Sequence, residues 1–277
     1  MHTHSTASDG TCTPTDLVRA AAVAGLDVVA ITDHDTTAGW GEAVAALPAG
    51  CTLVRGIELS CRAGGISVHL LGYLFDPADE AFRAQRSQLR EQRRVRARKI
   101  VQRLTGGGIP ISWERVSALA SGGVVGRPHI ARALVEIGRA RDIQDAFGTL
   151  LHPSGPYYVA KADLEVEPAI ATIRAAGGVA VLAHPLARTR GRVVDTVAIE
   201  AMAAAGLAGI EVDHPNHTPA DRQWLRELAG RLGLIGTGSS DFHGANKDIA
   251  LGAETSTTEA YEAIVAAAGP AIRPVTG

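Results

Sequence analysis

Short apolar runs alternate with amphipathic stretches along most of the chain. Residues 26–32, 52–59, 66–75, 179–183, 209–212 and 234–237 are nearly continuous apolar runs. That pattern predicts strands covered on both faces. Residues 15–24, 39–46, 167–176, 193–205 and 220–232 carry helical spacing, and Gly25, Gly177-Gly178, Gly206 and Gly233 stand where helices should stop. Repeated strand–helix units predict an α/β fold with a mainly parallel sheet, open or closed into a barrel. The rhythm breaks between residues 79 and 163, where helical patterns (83–103, 112–120, 127–137, 142–151) appear with almost no strand signal. The expectation is therefore one β/α unit from residues 1–78 and 164–277, interrupted by a helical insertion over 79–163.

Composition narrows the class. With 277 residues, 46% of them hydrophobic and 20% charged, the chain can build a sizeable core, which excludes disorder and a disulfide scaffold. No apolar run reaches the ~18 residues of a membrane span. The opening Met1-His2-Thr3-His4 has neither the basic nor the apolar part of a signal peptide. Cys12, Cys51 and Cys61 form no CxxC pair, so a cytoplasmic address is expected, with no membrane and no obligate protein partner. The net charge of −2 hides a division: residues 83–103 hold nine basic residues and one acid, leaving 18 basic against 28 acidic elsewhere. That basic stretch reads as a solvated helix face balancing an acidic remainder, in preference to a track that steers RNA.

The chemistry lies in the histidines, most of which fall at ends of the expected strands. His2 and His4 are spaced i, i+2, which on a strand turns both rings to one face. Asp9 follows in a loop, His34 follows the first run, Glu58 sits near the end of the second, and His69 lies on the third. His184 follows residues 179–183, and Asp241 and His243 form another i, i+2 pair after 234–237. In β/α barrels the carboxyl ends of strands form the working face. Imidazole with carboxylate, and no thiolate, suits Zn, Mn or Fe. Nine such groups exceed the needs of one ion, so two or three divalent ions sharing a carboxylate are expected. Such ions clamp a phosphoryl group and lower the pKa of a water.

His2-Thr3-His4-Ser5-Thr6-Ala7-Ser8-Asp9-Gly10 resembles the first motif of the PHP (polymerase and histidinol phosphatase) superfamily. Thr32-Asp33-His34-Asp35, Gly56-Ile57-Glu58, His69-Leu70-Leu71-Gly72-Tyr73, Ala183-His184-Pro185 and Gly238-Ser239-Ser240-Asp241-Phe242-His243-Gly244 are similar to its later motifs, in the same order. The resemblance implies a distorted (β/α)7 barrel with a trinuclear metal centre. Carried over, it assigns His2, His4, Glu58 and Asp241 to one ion. Glu58, His69 and His184 go to a second, with Glu58 bridging, and Asp9, His34 and His243 to a third. Manganese is the favoured metal, with zinc and iron as alternatives. Relatives carry a few apolar residues before the first HxH, whereas here Met1 precedes His2 directly. The start is placed too late or the first strand is a stub, and a fraying terminus would hold His2 poorly.

Val125-Gly126-Arg127-Pro128-His129-Ile130-Ala131-Arg132 and Tyr157-Tyr158-Val159-Ala160-Lys161 resemble the branch that hydrolyses nucleotides, including nucleoside 3′,5′-bisphosphate phosphatases and a 5′-to-3′ exoribonuclease. In that branch the helical insertion covers the barrel mouth. Arg127, His129 and Lys161 become candidate phosphate contacts, since guanidinium binds phosphate in a fork. Gly126-Arg127-Pro128-His129 equally reads as a helix start. His214 and His217, after another strand, are candidate substrate-side groups, and Asp33 or Asp35 could orient a ligand imidazole. The expected activity is hydrolysis of a phosphomonoester of a small nucleotide or a short RNA 5′ end by a metal-bridging hydroxide. Asp9, His34, Glu58, Arg127 and His243 would be the catalytic groups. The rival readings are a histidinol-phosphate phosphatase, a C–N amidohydrolase (disfavoured by Glu58 where a lysine bridge is usual) and a non-catalytic nucleic-acid-binding module.

Overall fold

The computed structural model describes residues 1–277, the side chain of Arg190 excepted. The apolar runs become strands: β1 (Val28–Ile31), β2 (Thr52–Ala63), β3 (Ile66–Tyr73), β4 (Leu164–Glu165), β5 (Val179–Ala183), β6 (Gly209–Asp213), β7 (Ile235–Gly238) and β8 (Val275–Thr276). They form one sheet in the order β1-β2-β3-β5-β6-β7, with β4 and β8 paired to β2. β1 runs parallel to β2, and β5, β6 and β7 run parallel to one another. β3 departs from the expected pattern by running antiparallel to both β2 and β5. The reason is local. Gly64 and Gly65 adopt φ of +54° and +77° between the paired residues Ala63 and Ile66. Such a two-residue turn closes a hairpin and leaves no room for a crossover helix. The reversal places His69 opposite Ser60 on β2 and Ala183 on β5, level with the carboxyl ends of its neighbours.

The sheet curls into a half-barrel, and the segment before β1 ties its two sides. Thr3 Oγ1 donates to the Ala30 carbonyl, and Thr32 N–H donates to the Thr3 carbonyl. On the other side, the Met1 amino group donates to Gly238 O, His2 N–H to Ser239 Oγ and His4 N–H to Phe242 O. The short first segment is thus tied on both sides, and His2 is fully buried.

Ten α-helices accompany the strands: α1 (Pro14–Val23), α2 (Trp40–Ala45), α3 (Glu80–Gly106), α4 (Trp113–Leu119), α5 (Arg127–Glu136), α6 (Ile143–Gly148), α7 (Val166–Ala175), α8 (Thr196–Ala204), α9 (Pro219–Leu232) and α10 (Thr258–Ala267). Side-chain caps mark several starts, as where Thr13 accepts from Asp16 N–H and Asp79 accepts from Phe82 N–H. Helix α10, unforeseen from the pattern, begins at a similar cap on Thr257. The main core gathers Leu17, Ile31, Leu53, Ile57, Ile170 and Leu182 around the sheet. Helices α3 to α6 share a second core of Ile100, Leu104, Val116, Ile130, Leu134 and Ala146. Among the described residues no helix is long and apolar enough to cross a membrane.

Helix α3 corrects the solvated-face reading of the basic stretch. Arg83, Arg94, Arg98 and Arg103 are exposed, but Arg86, Arg90, Arg93 and Arg96 form a stripe turned toward the rest of the protein. Arg86 donates to Thr37 Oγ1 (3.0 Å) and Pro77 O (2.5 Å), Arg90 to Asp35 O (3.2 Å), and Arg96 to Val159 O (2.7 Å). Arg93 pairs with Asp35 and donates to Ser60 Oγ at 2.5 Å. The arginines thus dock the helix onto the sheet.

Candidate metal centre

The strand ends converge on Glu58, a buried residue of β2. Its Oε1 lies 2.7 Å from His69 Nδ1 and 3.1 Å from His184 Nε2, and its Oε2 lies 3.0 Å from His34 Nδ1. The backbone aims these groups. Residues 33–35 hydrogen-bond to Glu58 along β2, so His34 follows β1 directly to it. His184, just past β5, is held at φ +28°, and Asp241, past β7, at φ +51°. Non-glycine residues adopt that region at a cost, and such strain gathers at functional sites.

The nine predicted ligands come together in overlapping groups. His2 Nε2 lies 3.1 Å from His4 Nε2, 3.4 Å from Glu58 Oε1 and 3.3 Å from Asp241 Oδ1. His4 Nε2 lies 3.1 Å from Glu58 Oε2 and 3.4 Å from Asp241 Oδ1. A tetrahedral ion with bonds of about 2.0–2.1 Å spaces its donors by roughly 3.3–3.4 Å. His2, His4 and Glu58 therefore fit one, with Asp241 beside both imidazoles. A second group is Asp9 with His34 (3.7 Å), His243 (3.5 Å) and His4 (3.6 Å). A third joins His34, Glu58 and His69, with His184 against the same carboxylate. His34 and His4 each belong to two groups, a sharing the family assignment did not contain. The buried Nδ1 of His34 faces Glu58 Oε2 at 3.0 Å without forming a hydrogen bond to it, as two donors to a shared ion would.

The electrostatics match a site built for positive charge. Burial opposes ionisation of Glu58, but His69, His34 and His2 outweigh it and hold its carboxyl well below the usual range. Asp9 is depressed in the same way by His34 and His243. Burial alone would lower the His2 imidazole, yet Asp241, Glu58 and Glu211 raise it to about 10. His4 rises against burial to about 9 beside Asp241 and Glu58. His243 moves the other way, to about 3, through burial and the neighbouring Lys247. Without ions, carboxylates crowd the pocket and protons on His2 and His4 offset them.

A cavity of about 120 Å³ opens onto Asp9, His34 and His69. Its other walls include Arg93, Arg96, Arg127 and Lys161, with Ile100, Val125, Pro128 and Phe147. Arg127, first in α5, lies over the Phe147 ring at 5.1 Å. Lys161 donates to Ser67 Oγ at 3.1 Å and faces Asp163 at 3.8 Å. His129 is not among the lining residues. Its Nδ1 accepts from Gly126 N–H and caps α5. His217 spends both ring nitrogens on backbone, toward Val212 O and Leu186 N–H. His214 Nδ1 accepts from Asn216 N–H, and its Nε2 faces Asp241 Oδ2 at 3.6 Å.

Two supporting groups, Glu211 and Lys247, escaped the sequence reading, while Asp33 and Asp35 were its candidates for orienting an imidazole. Glu211 contacts His2 and the backbone of His184. Lys247 donates to Asp241 Oδ2 at 2.6 Å. Asp33 accepts from Ser8 Oγ at 2.6 Å, and Ser8 in turn meets His4 Nδ1 at 3.3 Å, so Asp33 reaches an imidazole through a hydroxyl. Asp35 contacts no imidazole and holds Arg93 instead. The available signal was a charge inside an apolar run, as in Ile210-Glu211-Val212.

Comparison with known proteins agrees with this geometry. The PHP domain matches residues 1–102. A 5′-3′ exoribonuclease of Haemophilus influenzae is 38% identical over 245 residues, covering 88% of this chain and 89% of the relative. A 3′,5′-nucleoside bisphosphate phosphatase of Chromobacterium violaceum is 36% identical, covering 88% and 86%. A structure from Bifidobacterium adolescentis described as a metal-dependent phosphoesterase aligns with a TM-score of 0.93 at 36% identity, covering 98% of this chain and 96% of that one. The chain, with its histidines and carboxylates gathered at one end of the sheet, belongs to the PHP-domain family.

Proposed function

We propose that the protein is a metal-dependent phosphoesterase that removes phosphate from a small nucleotide, such as a nucleoside 3′,5′-bisphosphate, or from the 5′ end of a short RNA. The observation that carries this reading is a cavity lined by Asp9, His34 and His69 together with Arg93, Arg96, Arg127 and Lys161. Cationic walls select an anionic substrate over a neutral amide. Relatives with nucleotide and RNA substrates, at 36% and 38% identity, support the same class. We read the curled sheet as a distorted (β/α)7 barrel and residues 79–163 as an inserted subdomain over its mouth. The free cysteines fit a reducing cytoplasm.

In this reading His2, His4, Glu58 and Asp241 hold one divalent ion. Glu58, His69 and His184 hold a second, and Asp9, His34 and His243 a third. Manganese is preferred, and zinc or iron is accommodated by the same donors. Such ions, when bound, polarise a phosphoryl oxygen and make a water acidic enough to ionise near neutral pH. Glu58 orients the imidazoles on both sides of the shared wall. Arg127, with Lys161 and Arg93, binds the phosphoryl oxygens and offsets charge developing on them. His129 and His217 act on the backbone and leave substrate contact to these three cations.

The test is phosphate release from a 3′,5′-bisphosphonucleoside by protein purified with manganese, beside AMP, 5′-phosphorylated short RNA and histidinol phosphate. Asp241→Ala and His184→Ala should each lower the rate by at least about 100-fold. Rates unchanged in both variants would sink the assignment.

A further inference from the structure

Glu211 lies fully buried on β6, behind His2 as seen from Glu58. Its Oε1 lies 3.2 Å from His2 Nδ1, while its Oε2 accepts the backbone N–H of His184 at 2.8 Å. His2 turns its other nitrogen, Nε2, to His4, Glu58 and Asp241 at 3.1–3.4 Å. We infer that Glu211 is a positioning residue that fixes the tautomer of His2, and with it the lone pair His2 offers to an ion. The inference rests on the reading of His2 as a metal ligand.

The argument is one of donors and acceptors. An ionised carboxylate only accepts hydrogen bonds. The proton between Glu211 and His2 must therefore sit on Nδ1, and Nε2 is the nitrogen left to present a lone pair once an ion displaces any proton there. The second oxygen has its own task. It receives the N–H of His184, a residue held at φ +28°, so one carboxylate fixes a ring of the first segment and the backbone turn after β5.

This arrangement predicts a specific failure for the isosteric amide. In Glu211→Gln the carbonyl must face His184, because a backbone N–H can only donate. The amide NH2 then faces His2 Nδ1 and donates to it. That forces the imidazole proton onto Nε2, where the ion's lone pair should be. Glu211→Asp keeps two acceptors on a shorter arm and preserves the tautomer. A merely space-filling role predicts the reverse ranking, since glutamine matches the volume and aspartate does not.

The experiment titrates manganese into metal-stripped wild type, Glu211→Gln and Glu211→Asp by calorimetry. It also follows the ring N–H of His2 in histidine-labelled, zinc-loaded protein by NMR. The expected result is a ring proton on Nδ1 in wild type and Glu211→Asp, its loss in Glu211→Gln, and one class of manganese site weakened about 10- to 100-fold in Glu211→Gln alone. Wild-type affinity and stoichiometry in Glu211→Gln would overturn the inference while leaving the proposed function intact. A wild type that binds no divalent ion would overturn both. Should Glu211→Gln not fold, the position of the ring proton in wild type and Glu211→Asp decides the matter, and a proton on Nε2 there overturns the inference.

Discussion

Lys161 shows how one residue's surroundings set a pH dependence. Burial beside Arg93, Arg127 and Arg96 lowers its ammonium to about 8, only partly opposed by Asp163. The group is charged below that value and neutral above it. Binding of a phosphate dianion should therefore weaken as pH rises through 8, with KM climbing by up to about tenfold per unit. Lys161→Arg, which keeps its charge, should flatten the profile. Stability carries the opposite sign. The fold disfavours the charged form, so this lysine's penalty is present below 8 and is relieved as pH rises toward the ordinary value of 10.5. Steady-state profiles of both proteins on one nucleotide check the first claim; a flat wild-type KM between pH 7 and 9 would remove Lys161 from the binding site. At this scale the sequence was legible where a histidine or carboxylate stands at or near the end of an apolar run, as with His34, Glu58 and His184. It was not legible for Arg93 or Lys247, whose roles depend on which partner the fold delivers, nor for the choice between Asp33 and Asp35. His129 and His217 had motif context, but His217 turned both ring nitrogens to the backbone and His129 its Nδ1.

Helix α3 is held to the sheet by an ion pair whose two members lie on different elements. Asp35, fully buried at φ +56° after β1, accepts from Ser60 N–H and pairs with Arg93. Removing one member of such a pair leaves a charge without compensation, which costs about 3–5 kcal/mol in a dry interior. The Arg93 side chain keeps 19% of its exposure, so Asp35→Ala should fall near the lower end, about 3 kcal/mol. Arg93→Met added to Asp35→Ala should recover most of that stability while leaving KM raised. Denaturant titrations of the two single variants and the double give the coupling; additive losses would show that the pair does not fasten the helix. Among the elements, strands with continuous apolar runs were readable, and so was the helical character of 79–163. The direction of β3 was not, because apolar content is the same whichever way a strand runs. Only the turn at Gly64-Gly65 decides it, through two left-handed φ values. The basic stretch misled for a related reason: helical periodicity puts Arg86, Arg90, Arg93 and Arg96 on one stripe, but charge alone suggests water there.

Over the whole molecule, the candidate ligands run from His2 to His243, with one or more on or after β1, β2, β3, β5 and β7. Folding is what assembles them, so the unfolded chain has no comparable site. Ions that bind the folded state alone add RT ln(1 + [L]/Kd), about 4 kcal/mol for one site at a thousand times its dissociation constant. For a chain of this size each kcal/mol moves the melting temperature by roughly 2–4 °C. Chelation should then lower the melting temperature by about 8–16 °C per tightly held ion, and manganese should restore it. The metal-free fold has its own means of surviving that loss. Protons raised on His2 and His4 replace part of the missing cationic charge. That substitution is lost between the ordinary imidazole value of 6.5 and the raised values of about 9 and 10, so the gap between chelated and manganese-loaded protein should widen across that range and level off above it. Melting curves at pH 7 and pH 10, with chelator and with manganese, measure both quantities. A melting temperature indifferent to chelation at either pH would mean that the clustered imidazoles and carboxylates hold together without an ion.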